Sequence, residues 1–257
     1  LYPYLYGHSF FNTLDIPFMC IWLACSFILV KICKTIFFKK DIRNIDILIL
    51  SLLTAFLLSI RISGILIFFQ FFLFLIFLKT FLKTEFRFSL KYYLKKIGLF
   101  FLVLVPIFYL LHPNYWDNPL KVIEAINYMR SHIQTVCTVT LGECMPAQNL
   151  PPPYIFVWLF FKLPLIILFG LFIFPLVEKK IFQRKFESYL LFSLISSTLL
   201  IIFLLIIFNV NLYDELRQVL FLIPLIFIIS TSFIYFYSKK ILLILSIFFI
   251  LFFSVQN

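Results

Sequence analysis

The 257 residues are 63% hydrophobic and only 13% charged, with a mean hydropathy of +1.09. A soluble domain cannot cover that much apolar surface, and several runs are long enough to span a bilayer, so the chain reads as an all-α, polytopic membrane protein. The net charge of +11 does not indicate nucleic acid, because 17 of the 22 Lys and Arg fall in four short clusters, as the positive-inside rule produces.

The opening "LYGHSFFNTLD" (5–15) is polar and lacks the basic n-region of a signal peptide. Because the first residue is Leu1, the chain is expected to be an internal piece of a longer protein. Eight spans are predicted, near 16–32, 45–60, 64–78, 97–111, 155–177, 188–208, 217–237 and 241–255. The runs are continuously apolar rather than alternating, which argues against a β-barrel. Placing the basic clusters at 31–43, 79–96, 179–185 and 239–240 on the cytoplasmic side gives an even number of crossings between each neighbouring pair.

The second and third spans need a break between them. Residues 47–78 contain one charge, Arg61. As one helix they would be about 48 Å long at about 1.5 Å per residue, against a hydrocarbon core of about 30 Å. Ser63-Gly64 supplies a turn, and Arg61 then lies at the outer interface rather than at mid-membrane, where a guanidinium is costly.

Two basic or polar segments are expected to lie along the surface. One is 79–96, whose lysines would meet anionic headgroups inside. The other belongs to the outer segment 112–154, too long for a simple connector. Its stretch 117–133 reads as a surface helix with Asp117 or Asn118 as N-cap and Pro119 at the first position. Val122, Ile126, Met129 and Ile133 form its apolar stripe. Cys137 and Cys144 follow, six residues apart as a count of intervening positions, either bridged or as free thiols. Cys20, Cys25 and Cys33 read as packing residues. No CxxC, HExxH, P-loop or Rossmann glycine pattern occurs, and no metal site is assigned.

The outer side then carries all three histidines and the chemically varied residues. "GHSFFNTLDIPF" puts His8 and Asp15 at the mouth of the first span, where Asp15 is either a helix cap or a site residue. In "LPPPYIFVWLFFKLPL", Lys162 lies about 12 Å beyond Tyr154, so its ammonium must snorkel or find an anion. "LYDELRQVLFLIP" brings Asp214, Glu215 and Arg217 together, with a local Asp214–Arg217 pair as the simple alternative.

These three segments, with "HPNYWDNPL" between the first and the second, resemble in chain order segments of bacterial GT-C membrane glycosyltransferases of the protein mannosyltransferase-like group, relatives of the aminoarabinose lipid A transferase. The resemblance spans nearly the whole chain. Leu14, Pro153, Leu163, Glu215 and Gln218 depart from it, standing where a lysine, an aromatic, a threonine, a glycine and a histidine are usual. It implies a bundle of transmembrane helices in the inner (plasma) membrane with the active site facing outside. It also implies a sugar donor on a polyprenyl phosphate, and metal-assisted or metal-free inverting transfer to a lipid, glycan or protein acceptor. The family's catalytic carboxylate belongs to an early outer loop, expected upstream of Leu1, so no catalytic base is assigned; Asp15 is the candidate acid/base or supporting residue. Stabilising a departing lipid phosphate calls for cations at the outer interface. Arg61, Lys162 and Arg217 are the candidates, with His8, Tyr154 and Asp214 as further site residues. The competing reading is a lipid-linked sugar flippase or transporter.

Overall fold

Apolar runs become helices because a backbone without water must satisfy its own hydrogen bonds. The computed structural model describes residues 2–82, 90–125, 137–140, 142–146, 150–208, 210, 212, 215–237 and 244. Within them, α1 (Pro3–Phe11) leads into α2 (Asp15–Phe37), α3 (Asn44–Ile60), α4 (Ile67–Leu82) and α5 (Leu90–Leu111). After a two-stranded ribbon, β1 (Cys137–Thr140) and β2 (Glu143–Pro146), come α6 (Tyr154–Lys162), α7 (Leu165–Phe172), α8 (Phe174–Phe182), α9 (Lys185–Ile207) and α10 (Ile223–Tyr237). Tight 3₁₀ turns at Ile62–Leu66 and Arg217–Leu222 run directly into α4 and α10. Among the described residues, five helical segments are long and apolar enough to cross a membrane: Asp15–Phe37, Ile62–Phe81, Lys91–Leu111, Lys185–Ile207 and Arg217–Tyr237. α3 is apolar but shorter, at 17 residues, about 26 Å at about 1.5 Å per residue.

Among the described residues the helices fall on the expected apolar runs, but α2 continues to Phe37 rather than ending near 32 and α5 begins at Leu90 rather than near 97, and two segments depart further. The run 155–177 is not one straight span: α6 and α7 meet at a bend of 116°. Pro164 explains it, since it has no N–H to donate and drives the preceding residue into extended backbone; Leu163 has φ −73°, ψ 140°. The segment 112–154 contains the antiparallel ribbon, which an all-helical reading does not include. Val139 pairs with Cys144 and Thr140 with Glu143, and Gly142 at φ 87° turns the chain in a conformation that suits glycine. The expected surface helix is helical over 121–125. Its cap is Asn118, whose Oδ1 accepts the Leu120 N–H at 3.0 Å. Of the expected inner surface segment 79–96, residues 79–82 continue α4 and 90–96 open α5; residues 83–89, 126–136, and 241–255 apart from 244 lie outside the described residues.

The expected break after α3 is present. Arg61 ends the helix in extended backbone (φ −150°, ψ 131°). Gly64 lets the chain fold back on α3: a Cβ there would lie 3.1 Å from both Leu57 Cγ and Leu57 O.

α2 packs against α3 and α4, α3 against α5, α4 against α9, and α7 against α10. Small and polar side chains close these seams, as expected where apolar burial alone does not discriminate between helix and lipid. Trp22 Nε1 donates to Gln70 Oε1 at 2.9 Å, and Gln70 Nε2 donates to Ser26 Oγ at 3.0 Å, so the fully buried amide joins α2 to α4. The basic end of the bundle is tied together by Asp46, whose carboxylate accepts Lys31 Nζ at 2.9 Å and Arg43 Nε at 3.1 Å. There, too, Tyr92 Oη accepts the Ile42 N–H, and Lys96 Nζ donates to Ile42 O.

Candidate functional site

At the opposite end of α2, Asp15 occupies the first helical position, where a negative charge faces the positive end of the helix dipole. Its own N–H donates to Asn12 Oδ1 at 2.9 Å, and Asn12 Nδ2 returns a bond to Asp15 Oδ2 at 2.6 Å. The carboxylate is buried and faces two arginines. Arg61 Nη1, from the end of α3, bonds Oδ1. Arg217 Nε, from the turn leading into α10, bonds Oδ2 at 3.0 Å. Three distant parts of the chain thus meet at one carboxylate, with both of its oxygens engaged.

Lys162 ends α6 beside this group. Its ammonium lies 2.7 Å from Glu215 Oε2 and 5.2 Å from the ring centroids of both Tyr4 and Trp158, within cation–π range. It has therefore found an anion rather than merely snorkelling. The Tyr2 hydroxyl donates to the Lys162 carbonyl oxygen. Burial, and secondarily the Glu215 charge, push the Tyr2 phenol up to about 12. Tyr154 is almost fully buried and its hydroxyl donates to Glu215 O at 3.3 Å, so it braces the 215–217 turn. That turn carries both Glu215 and Arg217 and links the Lys162 pair to the Asp15 cluster. The ribbon joins through Trp158, whose Nε1 donates to Thr140 Oγ1 at 3.4 Å.

The structure brings Arg61, Lys162 and Arg217 to one end of the bundle, together with Asp15. His8 sits in α1, its ring packed edge-on against Tyr4 at 4.6 Å, one aromatic ring removed from Lys162. Asp214 lies outside the described residues; Arg217 is bonded to Asp15, a partner no local reading supplies. Glu215 was noted beside Arg217 in sequence but not as the partner of Lys162, and Asn12, Tyr2, Tyr4 and Trp158 were not singled out as members of the site. Asn12 carried a signal, a polar amide three residues before Asp15; the aromatics did not, in a chain with 38 Phe and 13 Tyr.

Among these five charged groups, three cations face two carboxylates. The side chains of Arg61, Lys162 and Arg217 are 17%, 29% and 36% exposed, against 5% for Asp15. The cations are thus partly accessible, whereas the acid that aligns two of them is not, an arrangement suited to receiving an anion at reduced dielectric. Among the described residues, no group of three His, Cys, Asp or Glu is placed to hold a metal ion. Compared with known proteins, the chain matches no family model, no curated protein and no solved structure.

Proposed function

We propose that the protein is an integral-membrane glycosyltransferase that takes a sugar from a polyprenyl-phosphate donor and gives it to a lipid, glycan or protein acceptor at the outer face of a plasma membrane. The observation that carries this reading is the convergence of Arg61 and Arg217 on buried Asp15, with Lys162, at the end of α6, paired to Glu215 on the adjoining turn. In the reaction, an acceptor hydroxyl oxygen bonds to the anomeric carbon and the bond from that carbon to the phosphate oxygen breaks. The electron pair stays on the phosphate, which goes from one negative charge to two, while the hydroxyl proton passes to a base. Cations already aligned where that charge develops lower the barrier without reorganising. Asp15 is better suited to holding the two guanidiniums than to accepting a proton, since both its oxygens are occupied.

The backbone at Glu215 adds support for the resemblance. It lies at φ 58°, a conformation natural to the glycine usual at that place in the glycosyltransferase pattern. The bend between α6 and α7 favours the second reading, a lipid-linked sugar transporter, since such proteins build sites from interrupted helices. Proteoliposomes loaded with a polyprenyl-phosphate sugar and a cell-envelope extract that supplies acceptor hydroxyls separate the two. A transferase yields sugar-free polyprenyl phosphate, and Arg61→Gln or Lys162→Met abolishes that yield while the protein stays inserted and folded. Translocation of intact donor without its cleavage would overturn the transferase reading.

A further inference from the structure

The Lys162–Glu215 pair raises a question that phosphate binding alone does not answer. A carboxylate 2.7 Å from the ammonium competes with any phosphate for the same three N–H donors. Glu215 also holds a left-handed backbone conformation, φ 58°, that a branched or long side chain adopts at a cost. Strained positions persist where surrounding structure over-determines them. Here the Tyr154 hydroxyl grips the Glu215 carbonyl, while the side chain reaches Lys162 beneath the Tyr4 and Trp158 rings.

The charges of the cluster suggest what the carboxylate does. Arg61, Lys162 and Arg217 against Asp15 and Glu215 leave one net positive charge among these five groups. A polyprenyl-phosphate sugar is a phosphodiester with one negative charge. The polyprenyl phosphate left after transfer is a monoester with two, and its second charge would face Glu215 across the shared ammonium.

We infer that Glu215 is a specificity-determining residue that makes the site favour a monoanionic lipid phosphodiester over a dianionic lipid phosphomonoester, so that the spent carrier is released. The inference rests on the phosphate reading of the site. Glu215 does not touch the reacting atoms; it acts by opposing the extra charge that transfer creates. Without it, the Lys162 ammonium would be unopposed by Glu215 and would hold the dianionic product more tightly than the donor.

The test uses the full chain in lipid nanodiscs and two probes, farnesyl phosphate and its methyl ester, titrated by microscale thermophoresis at a pH where the monoester is doubly charged. Glu215→Gln keeps the side-chain length and the backbone strain but removes the charge. It is expected to tighten the monoester about tenfold and the diester by about threefold or less, the scale of one like-charge contact in a partly screened site. Glu215→Gly, which suits the backbone, should give the same change in ratio, so a folding defect in one variant does not decide the outcome. An unchanged monoester-to-diester ratio in both variants, with Lys162→Met still weakening both probes, overturns the role of Glu215 and leaves the phosphate site standing. Binding that is indifferent to Lys162→Met, or absent in the wild type, overturns the phosphate reading and this inference with it.

Discussion

Arg217 Nε lies 3.0 Å from Asp15 Oδ2, although the two residues are 202 positions apart. The bond ties the start of α2 to the turn that enters α10, and Arg61 completes it from α3. Because the carboxylate is buried, neutralising it takes from both guanidiniums the anion they share. Asp15→Asn is expected to destabilise the fold by about 1–2 kcal/mol, less than breaking a wholly buried pair from one side, because both guanidiniums keep some contact with solvent. Thermal unfolding in detergent measures this. A loss no larger than that of an exposed substitution such as Asp117→Asn would show that the cluster contributes little to stability.

The crossing of α7 and α10 is equally dependent on one position. A Cβ at Gly170 would lie 2.1 Å from Ser230 Oγ and 2.8 Å from Ser230 O, and Ser230 Oγ donates to Ile167 O at 2.7 Å across the same seam. Gly170→Ala should cost about 3 kcal/mol or more, as overpacking of a closed contact does. Adding Ser230→Ala should not restore stability, because the carbonyl oxygen remains in the way. Full rescue by that second change would mean that the backbones can separate.

Topology is open to impermeant thiol labelling in a cysteine-free background. Cysteine at Trp116 should react from outside in intact cells, whereas cysteine at Lys91 should react only after the membrane is opened. The expectation follows from the division of Lys and Arg, 17 in the four clusters and five elsewhere. Labelling of the position-91 cysteine from outside would invert the assigned orientation.

Cys144 is disulfide-bonded, and Cys20, Cys25 and Cys33 are free thiols. The placement of the Cys137 side chain lies outside the described residues, but its backbone is in the strand facing β2. Non-reducing peptide mapping should recover a cross-linked peptide containing Cys137 and Cys144. Recovery of Cys144 joined to any other thiol would contradict a bridge within the ribbon.

Sequence alone determined the helices, because the information for each is local. A run of apolar residues must satisfy its backbone internally, and a proline, a glycine or a charge marks its end within a few positions. The start of α2, the end of α9 and the break between Arg61 and Gly64 were legible for that reason. So was the presence of Arg61 and Arg217 at the ends of apolar runs, since lone cations in such a chain have few places to lie, whereas Lys162 reads as lying within a run and ends a helix only because of the bend. The 116° bend at Leu163–Pro164 was written locally in the proline, but apolar periodicity runs through it and cannot report an angle. The pairing of Asp15 with partners 46 and 202 residues away, and of Lys162 with Glu215 rather than with lipid headgroups, was decided only in three dimensions. Opposite charges attract whatever their separation along the chain, so composition narrows the set of partners, while the packing of α2, α3, α6 and the turn before α10 selects among them.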